Sequence, residues 1–216
     1  NSDINRQFPG NFDGDTTSRL AAHLLDKTKG FRYGIHFPSF YRKGDFIPHV
    51  RMPSTGKESV SLANLFGLPY VVTSKHRNYD KTTLNYNWQI NGTDAFSVYS
   101  GATGNLDEPL AKQAVSSVLR FLTRMGILKY NCHNGYIASI IEEEDMVQVR
   151  TKAAGFFRRF AGVNEEVQRG QMLGEILDPY EGNRLAEVRS NVNGIVFYAA
   201  NQPTILENAT AFQIIK

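Results

Sequence analysis

Cysteine is almost missing from this chain: Cys132 stands alone among 216 residues. A lone thiol closes no internal disulfide and is too few for a zinc ribbon, so a reducing cytoplasm is the simplest expectation. Long apolar runs are missing too. None approaches the roughly 18 residues of a membrane-spanning helix, and no secretory signal pattern is present, so no membrane partner is expected. A dominant charge sign is also lacking. Lys and Arg number 24 against 21 Asp and Glu, and the net charge of +3 is too small and too evenly spread for general nucleic-acid affinity. The triplets at Asn91-Gly92-Thr93 and Asn208-Ala209-Thr210 match the glycosylation sequon, but such triplets arise often by chance and nothing else reads as secreted. An initiator methionine is absent as well. The opening NSDINRQFPG reads as the middle of something, so the native protein is expected to begin further upstream.

What is present suffices for a core. The apolar share is 41%, with 14 Phe and 10 Tyr, and the length suits one and a half to two domains. Residues 15–28, DTTSRLAAHLLDKT, place Leu20, Ala21, Leu24 and Leu25 at helical spacing behind the cap candidates Asp15 and Thr16. Residues 106–126 form the clearest helix. Asp107 is its cap, Pro109 sits in its first turn, Leu110, Ala114, Val118 and Leu122 share one face, and Gly126 ends it. A short helix is expected over 57–66, ended by Gly67. Strands are expected at 33–37, 46–51, 68–74 and 95–100. Strands alternating with helices predict an α/β layer sheet over residues 1–130.

The character changes over residues 131–216, where short apolar runs are split by Gly, Asn and Pro. Two stretches, VNEEVQRGQMLGEIL and SNVNGIVFYAANQPTIL, each read as strand, turn and strand, and Asn193-Gly194 is a strong hairpin signal. A small all-β, barrel-like domain is expected. Residues 162–176, GVNEEVQRGQMLGEI, resemble a hairpin of biotinyl/lipoyl-type barrels. The corresponding exposed tip, DPYEGNRLAEV, has no lysine to take a cofactor, so a structural or gating role is the better expectation.

Three stretches could carry chemistry. In DINRQFPG, Asn5 and Arg6 form an adjacent amide–guanidinium pair in a loop closed by Pro9-Gly10, and a guanidinium binds a carboxylate through two parallel hydrogen bonds. On spacing alone, a surface loop with a solvated arginine explains the stretch as well or better. In YGIHFPSFYRKGDFIPHVRM, His36 ends a short apolar run and His49 sits beside Arg51; read alone, both are structural histidines as readily as ligands. The stretch HRNYDKTTLNYNW follows a strand, where loops carry function in α/β sheets. EEED at 142–145 reads as a solvated turn, and FFRRF at 156–160 as a strand with two outward arginines.

In order and spacing, DINRQFPG, a helix, the strand ending in His36, PHVR, SVYSGATGNLDEP, RMGIL and the GQMLGEI hairpin are together similar to the succinylglutamate desuccinylase/aspartoacylase family. The likeness spans nearly all of the chain. It implies a carboxypeptidase-like mixed sheet with helices followed by a small β-domain, and a zinc amidohydrolase acting on N-acyl amino acids or related carboxylates. The family holds one zinc ion through the His and Glu of an H-x-x-E motif and the His of a D-L-H strand end, leaving a position open for water whose pKa the metal lowers to about 7. By this resemblance His36, in GIHF, is the metal ligand. Asn5 and Arg6 bind the substrate carboxylate, Arg51 assists with the anion, Asn85 takes the place of a substrate-binding arginine, and Tyr99 polarises the scissile carbonyl.

The sequence departs from that pattern at four places. H-x-x-E occurs nowhere in it, so two zinc ligands would have to come from residues upstream of this chain, and an N-terminal fragment of the same protein as a second chain is one expected partner. The aspartate of D-L-H is Gly34, the family's catalytic glutamate falls on Tyr99, and T-L-R reads T-L-N at Asn85. A phenol with a pKa near 10 is a poor base but can donate a hydrogen bond to an oxyanion. Two readings follow: a zinc-dependent hydrolase of a small carboxylate, and a non-catalytic carboxylate-binding or scaffold descendant of the same fold. A homo-oligomer is compatible with either.

Overall fold

The structure, a computed structural model, describes residues 3–39, 42–75, 77–102 and 106–216. His76 of the HRNYDKTTLNYNW stretch and residues 103–105 of SVYSGATGNLDEP lie outside the described residues. The chain divides into two compact units. One gathers Asn1–Pro38, Pro48–Ser100 and Pro109–Glu143; the other gathers Ser39–Ile47, Gly101–Glu108 and Glu144–Lys216.

The first unit is a five-stranded mixed sheet. Strand β1 (Tyr33–His36) is followed in sequence by β2 (Gly44–Phe46), which belongs to the second unit, and then by β3 (His49–Ser54), β4 (Tyr70–Lys75), β5 (Asp94–Tyr99) and β6 (Ser139–Glu142). Their spatial order is β1-β5-β3-β4-β6, with only the β3–β5 pairing antiparallel. The sequence pattern predicts one strand over 46–51; the structure has two, parting at Pro48, which has no N–H to give a ladder.

Both long helices begin and end where their punctuation predicts. Helix α1 (Thr16–Lys27) is capped by Asp15, whose carboxylate accepts from the Ser18 N–H at 2.8 Å. Helix α4 (Glu108–Arg124) stops just before Gly126, whose φ of 70° is a left-handed conformation that glycine adopts without penalty. Helix α2 (Val60–Ala63) is one turn that tightens into a 3-10 turn and ends at Gly67, with φ 65°. Helix α3 (Leu84–Ile90), inside the stretch HRNYDKTTLNYNW expected to be a loop, is capped by the Thr83 hydroxyl.

Strand alternation sorts the core. Val50, Met52, Val71, Phe96 and Val98 pack with Phe66 and with Phe121 of α4. The phenyl rings of Phe66, Phe96 and Phe121 lie 4.5–5.2 Å apart, centroid to centroid. Ala95 packs instead with Phe8, Ala21, Leu25, Leu84 and Trp88, from the N-terminal segment, α1 and α3. Buried Arg120 of α4 is satisfied by the carbonyls of Phe66 and His133, at 2.6 and 2.7 Å.

The second unit is all β: β2 with β7 (Val147–Arg150), β8 (Gly155–Arg159), β9 (Glu166–Val167), β10 (Met172–Leu177), β11 (Arg184–Arg189), β12 (Gly194–Ala200), β13 (Thr204–Ile205) and β14 (Thr210–Ile215). One sheet runs β11-β10-β8-β13 and the other β2-β12-β14-β7, with β9 added on β12. Both sheets are open, and no closed barrel is found among the described residues. The expected hairpins explain why. The strands flanking Asn193-Gly194, β11 and β12, enter different sheets, as do β9 and β10, and β12 and β13. Gly194 has φ 156°, and the Asn193 side chain accepts from the Arg169 N–H at 2.7 Å, so this dipeptide turns a corner between sheets. The arginines of FFRRF form ion pairs, Arg158 with buried Glu175, and Arg159 with Asp45 at 2.6 Å.

Candidate functional site

Strand pairing gathers the predicted side chains on the α1/α3 side of the first unit's sheet. His36 on β1 is opposite Ser97 on β5, and Arg51 on β3 is opposite the same Ser97. Directly opposed residues share a face, so the three form one row. Tyr99, two residues beyond Ser97, is opposite His49 and stands in the next row on that face.

His36 Nε2 is 2.6 Å from Ser97 Oγ, and Asn85 Nδ2 donates to the same oxygen at 2.9 Å. Behind Asn85 the polar chain continues. Gln89 Nε2 donates to Asn85 Oδ1 at 2.8 Å and to the Pro53 carbonyl at 3.2 Å, and the Thr55 hydroxyl donates to Gln89 Oε1. Asn85 and Gln89 are 2% and 1% exposed, so both serve the interior and Asn85 is fully engaged in holding Ser97. In the tautomer that gives Nε2–H to the Ser97 hydroxyl, the other ring nitrogen, Nδ1, keeps its lone pair, the state a metal ligand needs. Burial lowers the His36 pKa from 6.5 to about 4, so the ring is neutral at neutral pH.

Trp88 explains Gly34. The indole lies edge-on to His36, 5.6 Å between centroids, and a Cβ added at residue 34 would meet Trp88 Cε3 at 2.6 Å. An aspartate there has no room; the Ser97 hydroxyl is the imidazole's hydrogen-bond partner instead.

Tyr99 is 8% exposed and stacks on fully buried His49, 5.1 Å between centroids and 12° between planes. Burial raises its pKa; the charges of Arg51 and Arg6 pull it back, while Glu143 and Asp80 push it further up. The phenol therefore keeps its proton and can act as a donor. Arg6, Arg51, Glu143 and Asp80 thus all act electrostatically on this one hydroxyl.

The two arginines differ. Arg51 Nη2 holds Glu143 Oε2 at 2.6 Å, with side chains 13% and 14% exposed. Glu143, read from EEED as part of a solvated turn, is thus a site residue; only its place just past the end of edge strand β6 hinted at this. Arg6 is half-buried, its guanidinium carbon 5.6 Å from the centre of the Tyr79 ring, and it has no acidic partner among the described residues. Asn5 does structural work: its Oδ1 accepts from the Leu84 N–H at 3.0 Å, tying the Arg6 turn to the start of α3.

Compared by sequence, no family profile and no curated protein matches the chain. Compared by structure, the ectoine utilization protein EutE (DoeB) from Ruegeria pomeroyi, solved with product bound, matches with TM-score 0.82 at 18% identity, over 99% of this chain and 67% of its own. A succinylglutamate desuccinylase/aspartoacylase from Rhodobacter sphaeroides matches with TM-score 0.81 at 21% identity, over 100% of this chain and 67% of its own. The fold is that of the succinylglutamate desuccinylase/aspartoacylase proteins. An aspartoacylase family protein from Mesorhizobium loti matches with TM-score 0.75 at 19% identity, again over 100% of this chain and 67% of its own. The chain thus spans about two thirds of the length of these desuccinylase/aspartoacylase structures.

The expected zinc ion can be tested against the donors present. Among the described residues no three His, Cys, Asp or Glu side chains come together as a metal-holding group. His36 is well prepared as one ligand, but these residues do not complete a zinc site. No described helix is long and apolar enough to cross a membrane.

Proposed function

We propose that this chain binds an N-acyl amino acid or related small carboxylate in a deacylase-like site and serves hydrolysis of its amide bond. One observation carries the reading: among the described residues the Arg6 guanidinium has no acidic partner, whereas the Arg51 guanidinium is held by Glu143. Arg6 binds the carboxylate through its paired N–H groups. The Tyr99 hydroxyl, kept protonated by burial, donates to the acyl carbonyl oxygen as negative charge gathers there. His36 is this chain's contribution to a zinc ligand set whose other members lie outside the described residues.

A second reading is a carboxylate-binding protein without hydrolysis. Tyr99 favours it, because a phenol with a raised pKa stands where the resemblance places the catalytic glutamate.

Calorimetry with N-acetyl and N-succinyl amino acids, run beside an amine-release assay with and without added zinc, separates the readings. Binding without amine release selects the second. Absence of binding by both the intact protein and Arg6→Ala overturns both. For the hydrolase reading, Tyr99→Phe lowers kcat while leaving KM nearly unchanged.

A further inference from the structure

Two tautomers are open to a neutral imidazole, and only one of them leaves a lone pair on Nδ1. In this chain the choice is made behind Ser97. The Pro53 carbonyl can only accept, so the amide that faces it, Gln89, must turn Nε2 that way, at 3.2 Å. The same nitrogen donates to Asn85 at 2.8 Å, so Asn85 must meet it with Oδ1 and is left with Nδ2 to give to Ser97 Oγ, at 2.9 Å. Ser97 Oγ thus already accepts one hydrogen bond, and its own hydrogen is what it has to give. His36 Nε2 stands 2.6 Å away. That is below the roughly 2.7–3.2 Å of N–H···O bonds and inside the roughly 2.5–3.0 Å of bonds that hydroxyls give to oxygen. Ser97, Asn85 and Gln89 are all buried, so water does not compete for these bonds.

We infer that Asn85 is a positioning residue: acting through Ser97, it holds the hydrogen of His36 on Nδ1, so the ring meets a ligand as an N–H donor to oxygen and not as a lone pair for a metal. The polarity runs one way, because each amide in the chain is oriented by the group behind it and the last by a backbone carbonyl. The opposite tautomer has Ser97 Oγ accept from both Asn85 and His36 and turn its hydrogen out of the chain. Asn85, standing where the resemblance places a substrate-binding arginine, therefore acts on the ligand at one remove. The ligand that suits Nδ1–H is a carboxylate or an amide carbonyl, whose oxygens accept and do not donate. The choice of ligand rests on the second reading, carboxylate binding without hydrolysis; the tautomer does not.

Long-range proton–nitrogen NMR of the intact protein, recorded above the ordinary imidazole titration range, reads which ring nitrogen bears the hydrogen. His36 is expected to show Nδ1 protonated and Nε2 bare, and to keep that pattern when zinc is added. Ser97→Ala, which removes the donor, is expected to shift most of the population to Nε2–H, the form exposed imidazoles favour. Ser97→Thr, which keeps a hydroxyl, is expected to hold Nδ1–H. Asn85→Leu lets the Ser97 hydroxyl accept from the ring and is expected to give both forms together. Near-ultraviolet circular dichroism shows whether each variant is folded, and the unsubstituted protein decides the matter where one is not. Hydrogen on Nε2 in the unsubstituted protein overturns the inference, as does an Nδ1 that loses its hydrogen to zinc or a tautomer that folded Ser97→Ala leaves unmoved. With an N-acetyl amino acid added, the Nδ1–H resonance is expected to shift. Calorimetric binding without that shift overturns the donor role alone; no binding at all overturns the carboxylate reading and the donor role together, whatever the tautomer.

Discussion

Arg51 and Glu143 lie ninety-two residues apart and hold each other at 2.6 Å, each side chain more than four-fifths buried. Arg51 is fixed by its place opposite Ser97 on β3, and Glu143 by following β6, so the pair links an inner strand of the sheet to its edge. Removing one partner strands a nearly buried charge. Glu143→Gln and Arg51→Met are each expected to cost roughly 2–4 kcal/mol, read from urea unfolding, and the Arg51→Met/Glu143→Leu double substitution less than the sum of the singles. Additive losses would show that the two groups do not act as a pair.

Arg6 is the group left for a ligand. Arg6→Ala is expected to weaken carboxylate binding by roughly tenfold to a hundredfold in calorimetry, the usual worth of hydrogen bonds to a charged group. Arg6→Lys is expected to recover only part of this, because an ammonium cannot make the paired contact. Full recovery by lysine would mean a simple charge requirement.

The pH behaviour of His36 has a definite sign. Its pKa is about 4 in the folded chain against 6.5 when unexposed to that burial. The unfolded chain therefore binds a proton first on acidification. This contribution to stability is fully present above about pH 6.5 and is lost progressively between there and pH 4. Imidazole resonances of His36 followed by NMR are expected to titrate near pH 4. A midpoint near 6.5 would show a solvated ring, and the acid-side stability loss would then have another source.

Gly34 is required by its neighbour. With Trp88 Cε3 2.6 Å from an added Cβ, Gly34→Ala is expected to cost about 1–3 kcal/mol, measured as a shift in unfolding midpoint. The same substitution made together with Trp88→Leu is expected to cost less than the separate losses combined, since the shorter side chain vacates the space. Equal costs in both backgrounds would remove Trp88 as the reason for the glycine.

Much of the α/β unit was legible in local pattern. Asp15 caps α1, and Gly67 and Gly126 stop helices in left-handed conformations, because capping and φ preference act within a few residues. Asn193-Gly194 misled for the complementary reason. The dipeptide permits a reversal, but which sheet β12 joins depends on partners from β2, β9 and β14, and no window around residue 193 contains them. The helix α3 inside an expected loop was hidden by its polar residues Asn85, Asn87 and Gln89, all buried, and apolar periodicity cannot see helices that bury amides.

The sequence by itself determined where the two long helices α1 and α4 begin and end, and that one imidazole and one guanidinium stand near strand and turn ends; these follow from steric and hydrogen-bonding preferences spanning a few residues. Only the tertiary structure decided that His36 leans on Ser97, that Glu143 occupies Arg51, and that Arg6 has no acidic partner among the described residues. Each of those facts depends on which strands lie side by side, and the register between β1, β5 and β3 arises from burying two faces of a sheet at once, a property of the assembled layers that no single segment carries.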